Sequence, residues 1–336
     1  MNIAVVSYHF PPYDMIGSGM QMHVLANEYA RQGHNVTVVS AAPTCPEDSQ
    51  YKFVSAGIHG STKLFRWFTY THRFDWSTYD LVHAGGDGHL INSKAKFVIR
   101  TLLGSSMEEA RNQVKGYNKT RMYYLYMMEL IGVKQADVVT CISPETQRDF
   151  SRELILVPCG IDLRTFQPGQ SKSIHPSILF VGIVNSRKRG HLVVDAFENQ
   201  VLSKFPTATL NVVRDSLELA NASIRVHGSI PVAQLVRQYQ ENWLVVLPSS
   251  YEGFGLPYVE GMACGTPVMA TPNPGARFVL DHGKFGLIVD EDMLGDAICN
   301  VLSAPDIRSH YINQGFVRAS AFSIKAIAGS YLDLMS

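Results

Sequence analysis

The sequence predicts an α/β protein made of two doubly wound, mostly parallel sheets. Short apolar runs rich in valine and isoleucine alternate with helical patterns, which is typical of βαβ units. A length of 336 residues suits two such domains. Between two series of runs, residues 162–177 contain Pro168, Gly169 and Pro176 among polar side chains, which indicates a linker.

Each series contains six apolar runs that we interpret as strands buried on both faces. In the first series they are residues 3–7, 36–40, 81–84, 97–101, 138–142 and 155–158. In the second they are residues 178–181, 210–213, 224–226, 244–247, 267–270 and 287–289. We expect a first domain at 1–165, a second at 166–315, and a last helix at 316–336 that packs back on the first domain.

Composition and charge exclude several classes of function. Lys and Arg number 29 and so do Asp and Glu, so no global field attracts nucleic acid. The five cysteines are odd in number and form no C-x-x-C pair, which argues against a disulfide framework or a thiolate zinc site. We read neither a signal peptide nor a membrane span, since the apolar run 123–133 is interrupted by Glu129. A cytoplasmic protein is expected, with peripheral membrane contact left open.

The most informative segment follows the predicted strand 244–247. Its loop contains Glu252, Gly253 and Gly255, and a helix then begins near Pro257. Unpaired N–H groups at a helix start bind anions such as a diphosphate, and the glycines allow close approach. Glu260 lies one turn further and is placed to accept hydrogen bonds from a ribose diol. The alternative is structural, with Glu252 as a plain loop residue and Glu260 as a stabiliser of the helix N-terminus.

Residues 252–268 resemble the E-x7-E signature of the retaining glycosyltransferases of family 4. Residues 19–34, 136–143, 157–166 and 273–277 resemble further segments of that family, so the resemblance covers nearly the whole chain. It implies the GT-B fold, in which two Rossmann-like domains enclose the active site in a cleft between them.

The resemblance also implies roles for donor-site residues. Glu260 would bind the ribose, and Glu252 the hydroxyls of the donor sugar. The N–H groups around Gly253, Phe254, Gly255 and Leu256 would face the diphosphate, while Ser229 and Ile230 would border the base. Gly19 of the first domain would also approach a phosphate, although a plain turn glycine explains it nearly as well.

A basic cluster follows the predicted strand 178–181. The family carries an arginine where this chain has Ile183, and Lys188 matches its lysine. Cations at a strand end neutralise a departing diphosphate. Arg187 or Arg189 is our candidate to replace the missing charge, and a solvated basic turn is the alternative.

The first domain departs further from the family. Gly85 and Leu103 stand where relatives often carry histidine, so Asp87 or His83 is expected to do part of that work. A core histidine is the alternative for His83, and a turn former for Asp87. The candidate acceptor-binding residues are Tyr13, Asp14, His83, Gly86 and Asp87.

Two weaker signals remain. Residues 290–292 read D-x-D, but they precede a helix, where acidic side chains favour the N-terminus, so no metal and no cofactor are expected. Residues 64–76 and 111–126 mix aromatic and basic side chains. Such stretches contact a membrane surface or grip a lipid-linked acceptor, although ordinary amphipathic packing is the alternative.

The function expected is transfer of a hexose-type sugar from a UDP or GDP donor to an acceptor hydroxyl, with retention at the anomeric carbon. The acceptor would be linked to a sugar, a lipid or a metabolite. Glu252, Lys188 and Asp87 are the candidate catalytic residues. The alternatives are a GT-B epimerase, a phosphorolytic enzyme, and a catalytically degenerate partner subunit that binds a nucleotide sugar.

Overall fold

The computed structural model describes residues 1–14, 16–58, 63–86, 90–92, 94–112, 117–216 and 221–335. The chain divides into two compact units. Unit 1 contains Met1–Gly160 and Ile324–Ser336, and unit 2 contains Ile161–Ser323. The divisions thus lie at 160 and 323, five residues before and eight residues after the boundaries expected from the sequence.

Unit 1 is built on a seven-stranded sheet within its described residues, and the strands pair in parallel in the order β3-β2-β1-β4-β5-β6-β7. The strands are β1 (Asn2–Ser7), β2 (Asn35–Ser40), β3 (Lys52–Ser55), β4 (Leu81–Gly85), β5 (Val98–Leu102), β6 (Val138–Cys141) and β7 (Ile155–Leu156). The helices are α1 (Gly17–Arg31), α2 (Lys63–Arg73), α3 (Ser106–Asn112), α4 (Tyr117–Gln135), α5 (Pro144–Gln147) and α13 (Ile324–Asp333).

Helices cover both faces of this sheet. Alternate residues of β1 enter two different core clusters, because successive strand side chains point to opposite faces. One cluster contains Trp67 of α2 and Leu125 of α4. The other contains Leu25 of α1 and Tyr331 of α13. The last helix therefore belongs to the core of unit 1.

Two strands of unit 1 differ from the prediction. β3 was not predicted, because its four residues begin with a lysine and are at most half-buried. β7 was expected to be buried on both faces, and this is wrong. It is a two-residue strand at the edge of the sheet, and Ile155 and Leu156 are 44% and 43% exposed.

Unit 2 has a six-stranded sheet within its described residues, with parallel pairing in the order β10-β9-β8-β11-β12-β13. The strands are β8 (Ser177–Val181), β9 (Thr209–Val213), β10 (Ile224–Val226), β11 (Leu244–Leu247), β12 (Val268–Ala270) and β13 (Leu287–Ile288). The helices are α6 (Gly190–Ala196), α7 (Leu202–Lys204), α8 (Val232–Glu241), α9 (Leu256–Ala263), α10 (Pro274–Val279), α11 (Leu294–Ser303) and α12 (Pro305–Ala321).

Both sheets reverse their winding direction beside their first strand. In unit 1 the chain runs from β1 outward to β2 on one side, and β4 lies on the other side. In unit 2, β8 lies between β9 and β11 in the same way. The loops after such strand pairs separate and leave a crevice for a ligand. The predicted fold class, two doubly wound parallel α/β domains, is confirmed.

Candidate active site

The carboxyl ends of β8 and β11 bring the basic cluster onto Glu252. Since the two strands are neighbours, their following loops meet, and the N–H of Ser250 donates to the carbonyl of Arg187 at 2.9 Å. Lys188 Nζ then donates to Glu252 Oε1 at 2.5 Å, and Arg187 Nη1 lies 3.4 Å from Oε2. Three residues singled out from two separate stretches of sequence therefore form one ion-paired group.

Glu252 is held in its charged form. The residue is only 6% exposed, and burial by itself raises the pKa of a carboxyl. The attraction of Lys188 and Arg187, with the hydrogen bond from Lys188, outweighs that burial and lowers the pKa of Glu252 below its ordinary value. The group offers a carboxylate to hydroxyls and cations to an anion.

Glu260 lies on α9 and is oriented by a buried tyrosine. The hydroxyl of Tyr239, on α8, donates to Glu260 Oε2 at 2.7 Å. Burial raises the pKa of Glu260, and the Tyr239 hydrogen bond and the charges of Arg214 and Lys188 partly oppose that rise. Lys188 thus acts electrostatically on both glutamates of the motif.

The start of α9 has the geometry of an anion site. Gly255 precedes the helix with φ at +95°, a conformation that favours glycine, and Pro257 occupies the first turn. Pro257 has no N–H, and the N–H of Tyr258 donates to the carbonyl of Gly255 at 2.9 Å, so the N–H of Leu256 is the donor that this turn offers to an anion. Phe254 is buried, with ring centroids 6.1 Å from Phe278 and 5.3 Å from Phe322, so its side chain anchors the loop.

Asn273 and Gly275, at the start of α10, hold this loop from behind. Asn273 Oδ1 accepts from the N–H of Ala276 at 2.9 Å, and its Nδ2 donates to the carbonyl of Ser249 at 3.1 Å. The N–H of Gly275 donates to the carbonyl of Glu252 at 3.0 Å. A Cβ on Gly275 would lie 2.7 Å from that oxygen, so only glycine allows this approach.

The two candidate arginines differ in their surroundings. Arg189 Nε donates to the carbonyl of Pro248 at 2.7 Å and Nη2 to Thr271 Oγ1 at 2.9 Å, while Nη1 pairs with Glu291. Its guanidinium therefore ties loops of unit 2 together. Arg187 is 49% exposed at its side chain and lies against Glu252. Of the two, Arg187 is the one placed beside the glutamate.

Other donor-site candidates lie at separate positions. Ser229 and Ile230 follow the edge strand β10, at the same carboxyl edge of the sheet as β8 and β11. Gly19 belongs to unit 1, inside the first turn of α1 and not in a turn between elements. A Cβ there would lie 2.5 Å from the carbonyl oxygen of His9, so the glycine is required by backbone packing in that unit.

His83 is a fully buried residue of β4. The Tyr29 hydroxyl lies 2.9 Å from Nδ1, Thr101 Oγ1 lies 2.7 Å from Nε2, and the ring centroid is 4.4 Å from that of Tyr331. Burial lowers the pKa of His83 to about 3. This is the environment of a core histidine, the alternative that the sequence left open, and it offers an acceptor no exposed atom.

The remaining acceptor candidates lie near the strand ends of unit 1. Gly86 follows β4 with φ at +61°, and its carbonyl accepts from Arg100 at 3.0 Å. Asp87 lies outside the described residues. Tyr13 is 68% exposed in the loop after β1, and Asp14 in the same loop contacts His9 Nδ1.

His9, Tyr239 and Asn273 have site contacts that the sequence did not assign. His9 follows β1 directly, a position that could have marked it, since ligands bind at the carboxyl ends of such strands. The Asn-Pro pair before α10 is a helix-start signal for Asn273. For Tyr239 the sequence carries no signal, because its partner lies in a different helix.

The D-x-D segment has a structural position. Residues Glu291–Met293 form a short 3-10 turn before α11, and Glu291 pairs with Arg189. Across the residues that the structure describes, no three His, Cys, Asp or Glu side chains gather as metal ligands. The absence of a metal from the reaction stays a prediction.

Known proteins resemble this chain in fold and in sequence. A D-inositol 3-phosphate glycosyltransferase of Frankia alni is 30% identical over 209 residues, which are 53% of this chain and 51% of the relative. The match thus spans about half the length of that protein. A sucrose-phosphate synthase of Thermosynechococcus elongatus superposes with a TM-score of 0.79 at 23% identity, covering 99% of this chain and 98% of the other. HepE of Anabaena, solved with UDP-glucose, superposes with a TM-score of 0.75 at 16% identity, covering 100% and 99%.

Two family models match successive parts of the chain. The model described as Glycosyltransferase Family 4 matches residues 16–165, and the model described as Glycosyl transferases group 1 matches residues 175–304. The second match contains the Glu252–Glu260 site, and the first contains the loop after β4. The chain belongs to the family 4 glycosyltransferases, which have the GT-B fold and retain the anomeric configuration.

Proposed function

We propose that this glycosyltransferase moves a hexose-type sugar from a UDP- or GDP-linked donor to a hydroxyl of an acceptor. The observation that carries the proposal is the group formed by Glu252, Lys188 and Arg187, together with the Tyr239–Glu260 pair, whose glutamate lies on the helix that follows the Glu252 loop. Carboxylates and cations alternate there over a short distance, as the hydroxyls and phosphates of a nucleotide sugar do.

Each part of the donor has a proposed partner. Glu260, oriented by Tyr239, accepts hydrogen bonds from the ribose, and Glu252 accepts them from the sugar hydroxyls. The first-turn N–H of α9 and the charges of Lys188 and Arg187 surround the diphosphate. Ser229 and Ile230 border the base, and Gly19 approaches a phosphate.

The reaction breaks the bond between the anomeric carbon and the terminal phosphate oxygen, and forms one from that carbon to the acceptor oxygen. Negative charge develops on the departing diphosphate, where the first-turn N–H of α9 and Lys188 stabilise it. The acceptor proton passes to the departing phosphate oxygen. The fixed charges are in place before the reaction, so little reorganisation is needed.

The likeness to HepE, solved with UDP-glucose, favours UDP as the nucleotide. For the acceptor we propose a hydroxyl of a sugar, a lipid-linked glycan or a metabolite, near Tyr13, Asp14, Gly86 and Asp87. The relatives named D-inositol 3-phosphate glycosyltransferase support the proposal of a phosphorylated polyol as one such acceptor. We place the reaction in the cytoplasm or at the inner face of a membrane, without a metal cofactor, and the five cysteines are free thiols.

Thermal-shift measurements with UDP, GDP, ADP and TDP identify the nucleotide, because only a ligand of the folded state raises its stability. Donor hydrolysis and transfer are then measured for Glu252→Gln. We expect a loss of turnover of at least a hundredfold with a change in nucleotide affinity below fivefold, since Glu252 faces the sugar. Glu241→Gln, an exposed glutamate of the same unit, is the control. Equal losses in turnover and affinity would contradict the role of Glu252.

The same assay separates the other reactions. Conversion of the donor to an isomeric sugar nucleotide would indicate an epimerase. Binding without hydrolysis or transfer, with any acceptor hydroxyl in a broad panel, would indicate a partner subunit. Either result would overturn the proposed transfer.

A further inference from the structure

Two neighbouring helices of unit 1 present an unusual surface, here named the α2/α4 face. On α2, Phe65, Arg66 and Arg73 are exposed while Trp67 and Phe68 are buried. Helix α4 lies beside it, since the ring centroids of Phe68 and Tyr124 are 6.4 Å apart. The two helices therefore form one continuous surface.

The solvent side of α4 is apolar. Tyr124, Met127 and Ile131 are 43%, 56% and 38% exposed, and their spacing places them on one stripe, with Tyr123 beside it at 42%. The opposite side of α4 packs Leu125 into the core. A helix that faces only water on its outer side carries charged residues there. A row of large apolar side chains instead marks a surface that contacts something.

Apart from the buried Glu129, the charged side chains of α2 and α4 are all basic. The six bases on the two helices are Lys63, Arg66, Arg73, Lys119, Arg121 and Lys134. Their one acid, Glu129, is buried and accepts hydrogen bonds from Ser106. Asp137, just beyond α4, accepts from the N–H of Val98. Because the chain as a whole has no net charge, this concentration of bases is a local property.

A groove runs along α2 within this surface. It has a volume of about 440 Å³ and lies between α2 and the segment after β3. Ala56, Ile58 and Phe65 supply apolar walls, and Arg66 and Arg73 line it from the helix, seven residues apart and so on the same side. Two guanidinium groups beside an aromatic wall suit a phosphodiester with a short apolar attachment.

We propose that the α2/α4 face docks on an anionic phospholipid bilayer. The bases lie at the level of the lipid phosphates, and Phe65, Met127 and the tyrosines enter the boundary between headgroups and acyl chains. The contact is peripheral, since no helix among the residues described is long and apolar enough to cross a membrane.

The charge pattern favours a bilayer over a second copy of the chain. A two-fold contact through this face would bring two sets of six bases into one interface, and like charges repel. A bilayer of anionic lipid presents continuous negative charge above an apolar layer, which matches both properties of the surface.

Co-sedimentation with sucrose-loaded vesicles tests the proposal. We expect the protein to bind vesicles of phosphatidylcholine with 40 mol% phosphatidylglycerol at least tenfold better than vesicles of phosphatidylcholine alone, and to dissociate partly in high salt. Arg66→Gln with Arg73→Gln should weaken binding about 25-fold, at about fivefold per base. Met127→Ser with Phe65→Ser should weaken it roughly tenfold.

Matched controls lie in unit 2. Arg237→Gln and Ile174→Ser remove an exposed base and an exposed apolar side chain there, and should leave vesicle binding unchanged. In melting experiments followed by circular dichroism, the Tm of every variant should lie within a few degrees of the Tm of the unmodified protein, since every changed side chain is exposed.

Three results would overturn the proposal. The first is equal binding to neutral and anionic vesicles, and the second is unchanged vesicle binding in both α2/α4 double variants. The third is a dimer that sedimentation velocity detects without lipid and that the double variant Met127→Ser with Phe65→Ser no longer forms. The last result would identify the face as a protein interface. None of these measurements depends on sugar transfer, so they stand apart from the proposed function.

Discussion

Replacing Arg187 and Arg189 one at a time separates two roles that the sequence could not distinguish. Arg187 lies against Glu252 with its side chain half exposed, whereas Arg189 binds Pro248, Thr271 and Glu291. Arg187→Ala is therefore expected to weaken nucleotide binding with little effect on stability. Arg189→Ala is expected to destabilise unit 2.

The magnitudes follow from burial and contacts. Arg189 is 20% exposed, and its bonds to the Pro248 carbonyl and the fully buried Thr271 contribute about 3 kcal/mol together. Glu291 is 54% exposed, so its ion pair adds little. A loss of about 3 kcal/mol corresponds to a fall in Tm of roughly 6–12 °C for a unit of this size. Arg187 contributes below about 1 kcal/mol to stability, but a charged contact to a diphosphate is worth a factor of roughly 10–100 in affinity.

Calorimetric titration with the preferred nucleotide and urea unfolding measure both quantities on the same samples. Arg187→Lys should recover part of the affinity, and Arg237→Ala on α8 serves as the remote control. The reasoning is refuted if Arg187→Ala binds nucleotide normally, or if Arg189→Ala loses affinity while its unfolding free energy is unchanged.

Three further changes have expected outcomes. His83 stays neutral in the fold, with its pKa lowered to about 3, while the unfolded chain binds a proton near 6.5. The unfolding free energy should thus fall on acidification below pH 6.5, and urea titrations at pH 7 and 5 should show a smaller fall in His83→Gln. Burial lowers the pKa of Lys172 from 10.5 to about 8. Lys172→Met should therefore raise the free energy of unfolding by up to about 3 kcal/mol at pH 7, and urea unfolding should show that this gain shrinks between pH 8 and pH 10.5. An equal gain at pH 7 and pH 11 would contradict this. Gly275→Ala should lower Tm and nucleotide affinity together by displacing the Glu252 loop, whereas Gly253→Ala, with its nearest atom at 4.0 Å, should leave Tm unchanged in the same scan.

Much of the fold was predictable because buried parallel strands are continuous apolar runs. The strand Leu244–Leu247 was predicted with its observed bounds, since all four residues are apolar and all are buried. β3 escaped prediction for the opposite reason, as its pairing depends on β2 and not on its own half-exposed side chains.

The candidate site was predictable as a set of positions but not as a set of contacts. Glu252 and Lys188 stand out as motif residues, yet their ion pair depends on the neighbouring places of β8 and β11 in the sheet. Which of Arg187 and Arg189 lies beside Glu252 depends on the directions of their side chains, and a sequence pattern does not predict these directions. Likewise, the sequence favours a core role for His83 without excluding a site role, and the choice rests on its packing against Tyr29 and Tyr331.

Unit 2 is an insertion within unit 1, and this has a consequence for how the protein is made. Gly160 and Ile324 are neighbours in unit 1, and in unit 2 the N–H of Ile161 donates to the carbonyl of Phe322 at 2.8 Å. The chain therefore leaves unit 1 and returns to it at adjacent points. Since Ile324, Ile327 and Tyr331 complete the core of unit 1, the sheet of that unit is synthesised first but gains these core residues only after the whole of unit 2 has been synthesised. A chain that ends at Ser323 would leave the earlier unit without part of its core, whereas the later unit would keep all of its residues.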